Sequence, residues 1–108
     1  MALQTATLQG GVALGATSGV LYTVPTGHTA WIKQAVFTNT SGAAVTLTVT
    51  LTRAGGSPLV ITPGVSVAAN TPYIARELAS QSLGAGDSVA AFASTGAVVN
   101  AFLSGLTT

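Results

Sequence analysis

A chain of 108 residues is one domain, long enough for one modest core and too short for two. It is 48% hydrophobic but only 5% charged, where ordinary soluble proteins carry about 25% charged residues. The charges are Lys33, Arg53, Arg76, Glu77 and Asp87, net +1; they are too few and too scattered to attract nucleic-acid phosphates or an anionic membrane surface.

The first 18 residues set Leu3, Leu8, Val12 and Leu14 singly among Ala, Thr, Gln and Gly, too sparsely for a core element. The expectation is an extended N-terminal arm over 1–18, either frayed or paired with a neighbour's sheet edge, followed by a β domain over 19–108. The first strand of that domain is expected at 20–24, ending at Pro25-Thr26-Gly27. The second, 29–38, is rich in strand formers; by simple alternation it places Trp31 and Phe37 on one face, with Lys33 and Ala35 between them. Both of its faces are partly apolar, so Trp31 is read either as core or as an interface anchor.

Next comes 45–52, Val-Thr-Leu-Thr-Val-Thr-Leu-Thr, whose strict alternation indicates a half-buried strand with Val and Leu inward and Thr outward. The turn cluster Asn39-Thr40-Ser41-Gly42 predicts a hairpin joining it to the preceding strand. Further strands are expected at 59–62, 65–68, 73–78, 88–93 and 98–103. Their separators contain Gly, Pro, Asn or Asp, which adopt positive φ or cannot continue a ladder. Residues 76–81 could form a helical turn, but strand followed by loop is preferred. About eight short strands with turns at this spacing indicate an all-β fold, an antiparallel sandwich or a barrel.

Catalytic equipment is sparse. There is one His, one Glu and one Asp, and catalysis needs acid, base, nucleophile or metal in a converging group. His28 reads as a solvent-facing turn residue after Pro25-Thr26-Gly27. Asp87, in Gly84-Ala85-Gly86-Asp87-Ser88, reads as a turn organiser; Gly84 and Gly86 lack the Lys-Ser/Thr of a phosphate loop. The Thr ladder at 46, 48, 50 and 52 occurs once, so it reads as ordinary strand surface and not as an ice-binding face. No enzyme activity, no cofactor and no metal are expected. Without cysteine there is no disulfide framework. No apolar run reaches the about 20 residues of a membrane helix, and Met1-Ala2-Leu3-Gln4-Thr5 lacks the pattern of a signal peptide. Neither membrane nor nucleic acid is expected as a partner.

Low charge also favours self-association. Either partner subunits cover the surface or Thr, Ser, Asn and Gln keep it wet; abundant Ala, Val and Leu favour partner subunits. The candidate interface residues are Leu3, Leu8, Val12, Leu14 and Trp31.

Residues 21–32, Leu-Tyr-Thr-Val-Pro-Thr-Gly-His-Thr-Ala-Trp-Ile, resemble an opening found in small structural proteins of tailed bacteriophages: a strand, Val-Pro-x-Gly, then a second strand. The resemblance continues through the Asn-Thr-Ser-Gly turn and the Thr-alternating strand, then Leu83-Gly84-Ala85-Gly86-Asp87 and the closing Val99-Asn100-Ala101-Phe102-Leu103-Ser104-Gly105, and so covers most of the chain from Val20. Gly84 stands where the pattern has Pro, and His28 where Lys is common. The resemblance implies a β-sandwich of jelly-roll type in a virion assembled from the host cytoplasm. It further implies a capsid decoration (cement) protein contacting the major capsid protein or other virion subunits, as a homo-oligomer for which a trimer is the working expectation. The alternative it leaves open is a tail- or fibre-associated module that binds carbohydrate or a receptor, with Trp31, Tyr22 or Tyr73 as an aromatic platform.

Overall fold

The alternation of residues 45–52 is obeyed at every position. Val45, Leu47, Val49 and Leu51 are buried, and the four threonines lie on the other face. The computed structural model describes residues 4–79 and 81–108. In it the strands are β1 (Gln4–Ala13), β2 (Gly19–Thr23), β3 (Ala30–Asn39), β4 (Val45–Thr52), β5 (Leu59–Val67), β6 (Thr71–Ile74), β7 (Ser82–Leu83), β8 (Ser88–Ala93) and β9 (Val99–Thr107).

All pairings are antiparallel, and they nest. β1 pairs with β9, β2 with β8, β3 with β6 and β7, and β4 with β5. Rolled up, this long folded ribbon gains the β3–β9 and β4–β8 ladders. The result is two packed sheets, β1-β9-β3-β6 with β7 beside β3, and β2-β8-β4-β5. That is the strand order of a jelly roll, an all-β sandwich as the turn spacing predicts.

Four features differ from the sequence reading. Residues 4–13 are the edge strand β1 of the protein's own first sheet, paired with β9 from Gln4↔Thr107 to Ala13↔Asn100 across two register shifts. β3 and β4 belong to different sheets, so the turn between them is a crossover and not a hairpin. Buried Asn39 organises it. Its Nδ2 faces the carbonyls of Ala43, Val67 and Ala68 at 2.8, 3.1 and 3.2 Å, and its Oδ1 accepts from the Ser41 amide and hydroxyl at 2.9 and 2.8 Å. The expected strands 59–62 and 65–68 are one strand, β5, in which Pro63-Gly64 forms a bulge. An edge strand tolerates that proline, and Gly64 takes the positive φ of 62° that a bulge requires. Finally, the expected strand 73–78 ends at Ile74, and Leu78 and Ala79 donate to the Ala75 and Arg76 carbonyls in tight turns that bury Leu78.

The core lies between the sheets and includes Ile32, Phe37, Leu47, Leu78, Leu83 and Leu103. Side chains tie the sheets together along both open sides. On one side the Gln9 amide of β1 donates to the Leu21 carbonyl of β2 at 3.0 Å. On the other, the Glu77 carboxylate accepts from Thr62 of β5 at 2.6 Å and from Tyr73 of β6 at 2.9 Å.

Candidate interaction site

The outward face of the first sheet is decided by a bulge in β3. Ile32 is in register with Gly105, and Gln34 with Ser104, so Lys33 is an extra residue and the side-chain alternation slips by one. Ala30 and Ile32 point inward before the slip; Ala35, Phe37 and Asn39 point inward after it. Trp31 therefore lies outward, 36% exposed, while Phe37 is wholly buried. The two do not share a face as simple alternation predicts. Gly105 makes the bulge possible: a Cβ there would collide with the Trp31 carbonyl.

After the slip, Ile74, Val36 and Phe102 stand side by side across β6, β3 and β9. Ile74 is 53% and Phe102 43% exposed. The Phe102 ring lies against Gly11 of β1, where a Cβ would come within 2.9 Å of it and where φ is +134°. One step along the strands, exposed Gln34, Ser104 and Thr7 form a parallel row across β3, β9 and β1. Val36 and Phe102 of the first row and all three residues of the second line a groove of about 260 Å³.

The second sheet presents a different face. Val20, Ala90, Thr50 and Val60 are register partners across β2, β8, β4 and β5. Val20 is 64% and Val60 57% exposed, with no charged side chain in the row.

Of the interface residues expected from sequence, Leu8 and Leu14 are buried in the protein's own core. Val12 is part-exposed on edge strand β1, and Trp31 is on the outer face of the first sheet; Leu3 lies outside the described residues. Tyr22 and Tyr73, expected as platforms, pack against the core. Phe102, Val20 and Val60 were not singled out by sequence reasoning. The alternation of Val99, Ala101, Leu103 and Gly105 inward puts Phe102 outward between Asn100 and Ser104, and that signal was available.

The two carboxylates are held in hydrogen-bond networks that tie the fold together. Buried Asp87 accepts from Arg53 and from the Ala54 amide, both at 2.8 Å, and from the Gly84 amide at 2.9 Å. Burial pushes its pKa up, but these hydrogen bonds and the Arg53 charge outweigh burial and leave the net shift downward. For Glu77, burial likewise pushes up and the hydrogen bonds from Thr62, its own backbone and Tyr73 outweigh it, again downward. Tyr73 is raised by burial and by the Glu77 carboxylate beside it. Exposed His28 contacts the Thr108 carbonyl through Nδ1. Among the described residues, no three of His, Asp and Glu gather as a metal site would require.

No family model matches this sequence, and neither does any curated protein. The fold is similar to a chain in the structure of infectious bursal disease virus, Gx strain, with a TM-score of 0.58 and 13% identity over 98% of this chain and 32% of that one. This chain thus spans about a third of that chain's length, and at such identity the likeness is one of fold.

Proposed function

We propose that this chain is a structural protein of a virion, most specifically a decoration protein on the capsid of a tailed phage, and that it is not a catalyst. The carrying observation is the outer face of the second sheet. Val20 and Val60 stand largely exposed on its two edge strands, with part-exposed Thr50 and buried Ala90 in register between them and no charge in the row, a composition suited to the desolvated centre of a subunit contact. The jelly roll, its likeness to a chain of a virus structure, the phage-like order of motifs and the 5% charge support the same reading. Major capsid protein or other virion subunits, including further copies of this chain, would cover the face. Each bound copy would stabilise the shell by mass action. Glu77 and Asp87 are both spent on structural hydrogen bonds, which supports a non-catalytic role.

The test is a copy count in purified particles by quantitative mass spectrometry, beside particles grown with the variants Val20→Lys and Val60→Lys. Many copies of the natural chain and a marked loss of each variant are expected. Absence from particles, or undiminished incorporation of both variants, would overturn the proposal.

A further inference from the structure

We infer that the groove around Phe102, on the outer face of β1, β9 and β3, is a binding site for a neutral saccharide. This does not rest on the virion reading and uses the opposite sheet. The register places two chemistries side by side. One row, Val36 and Phe102, offers an aliphatic surface and a part-exposed aromatic ring. The adjacent row, Gln34, Ser104 and Thr7, offers an amide and two hydroxyls, all exposed. Neighbouring strands lie about 4.8 Å apart and alternate residues about 7 Å apart. An apolar strip and a strip of donors and acceptors therefore run alongside each other at the scale of a sugar ring.

A pyranose has that same division: a C–H face that stacks on an aromatic ring, and equatorial hydroxyls at its rim. The Phe102 ring lies over Gly11, where a side chain would displace it. The neighbouring amide, Gln9, is committed to the Leu21 carbonyl and the Gly11 amide, which leaves Gln34 to meet ligand hydroxyls. No charged side chain lines the groove. An anionic sugar gains no partner there, and a neutral one loses nothing by its absence. At about 260 Å³, below the roughly 300–1,000 Å³ of sites for larger ligands, the groove takes one or two sugar units. An aliphatic protein face fits it less well, since it would leave Gln34, Ser104 and Thr7 without partners.

The experiment is saturation-transfer NMR on the full chain with a panel of neutral oligosaccharides of gluco, galacto, manno and N-acetylhexosamine type, with sialylated and sulfated sugars beside them. Transfer to the C–H protons of at least one neutral sugar is expected, with affinity reduced about tenfold by Phe102→Ala. Because that variant also frees the Gly11 contact, Ser104→Val and Gln34→Leu serve as second probes and should each weaken binding with the fold intact; Trp31→Ala should not. The inference is overturned by silence across the neutral panel, by binding indifferent to the Phe102, Ser104 and Gln34 variants, or by preference for the charged sugars. It is equally overturned if Phe102→Ala abolishes concentration-dependent dimerisation in a protein that binds no sugar. Particle copy number reads the virion proposal separately, so either can fail alone.

Discussion

Trp31 and Phe37 occupy opposite faces of β3 although they are an even number of positions apart, because the extra residue Lys33 reverses the alternation between them. Their substitutions should therefore diverge. Phe37→Ala empties a fully buried site and should cost about 3–5 kcal/mol. Trp31→Ala removes a ring that stands on the outer face, 36% exposed, and should cost less, about 1–2 kcal/mol. Urea denaturation of both variants checks this; equal losses would mean that the two rings share the core.

The same bulge was invisible in β3 itself, which has neither Gly nor Pro to mark it. Its only trace is on the partner strand, at Gly105. Gly105→Ala drives a methyl into the Trp31 carbonyl and should destabilise by about 3 kcal/mol or more, read as a fall in the denaturation midpoint. A neutral outcome would show that the two backbones do not approach so closely.

What was legible follows from which interactions are local. β4 was readable residue by residue because both of its faces have uniform environments. The short strands and their turns were readable because Gly, Pro and Asn act through their own backbone. Pairing was not. Nothing in Asn39-Thr40-Ser41-Gly42 distinguishes a hairpin from a crossover, since the acceptors that settle it, the Val67 and Ala68 carbonyls, lie far along the chain. Leu8 and Leu14 looked too isolated for a core because β1 closes the edge of a sheet whose apolar content comes from β3 and β9. The Phe102 groove was half legible: alternation turns the ring outward, but its juxtaposition with Gln34 depends on long-range register.

Asn39 is therefore the residue on which the crossover should depend. Asn39→Ala takes the side-chain hydrogen bonds from the Val67 and Ala68 carbonyls and the Ser41 amide and should cost about 2–4 kcal/mol. Asn39→Asp keeps the shape but turns an acceptor toward the Ala43, Val67 and Ala68 carbonyls, and should be at least as damaging. Thermal denaturation at neutral pH separates this from a packing role, in which the isosteric Asp would be tolerated.

Asp87 and Glu77 predict the acid limit. Both carboxyls are held below their ordinary values of 3.8 and 4.5 in the folded protein, so the unfolded chain takes up protons at higher pH than the folded one. Their contribution is complete above the unfolded values and is lost as pH falls through the folded ones. Stability should be level near neutrality, begin to fall below about pH 5 and continue falling below 3.8. Asp87→Asn should lower neutral stability by about 1–3 kcal/mol, mainly through the part-buried Ala54 and Gly84 amides, because Arg53 is half exposed and its charge is screened. The variant's acid limb should be shallower; an unchanged slope in a pH series of melting temperatures would remove Asp87 from this role.

Truncation tests whether the N-terminal segment belongs to the sandwich. β1 pairs with β9 along its whole length, with two register shifts, and places Leu8 in the core, whereas a free arm would leave the remaining domain whole. Removing residues 1–13 should expose the β9 ladder as a new edge, favouring aggregation. It should also forfeit the Leu8 burial, about 1.5–3 kcal/mol by itself, together with the Gln9 tie to Leu21. Leu8→Ala should reproduce the burial loss with the edge still covered. The expected order of melting temperatures is natural chain, then Leu8→Ala, then the truncation, with aggregation confined to the last. A truncated chain that melts with the natural one and stays dispersed would show that β1 contributes nothing to the domain and is available to a neighbouring subunit.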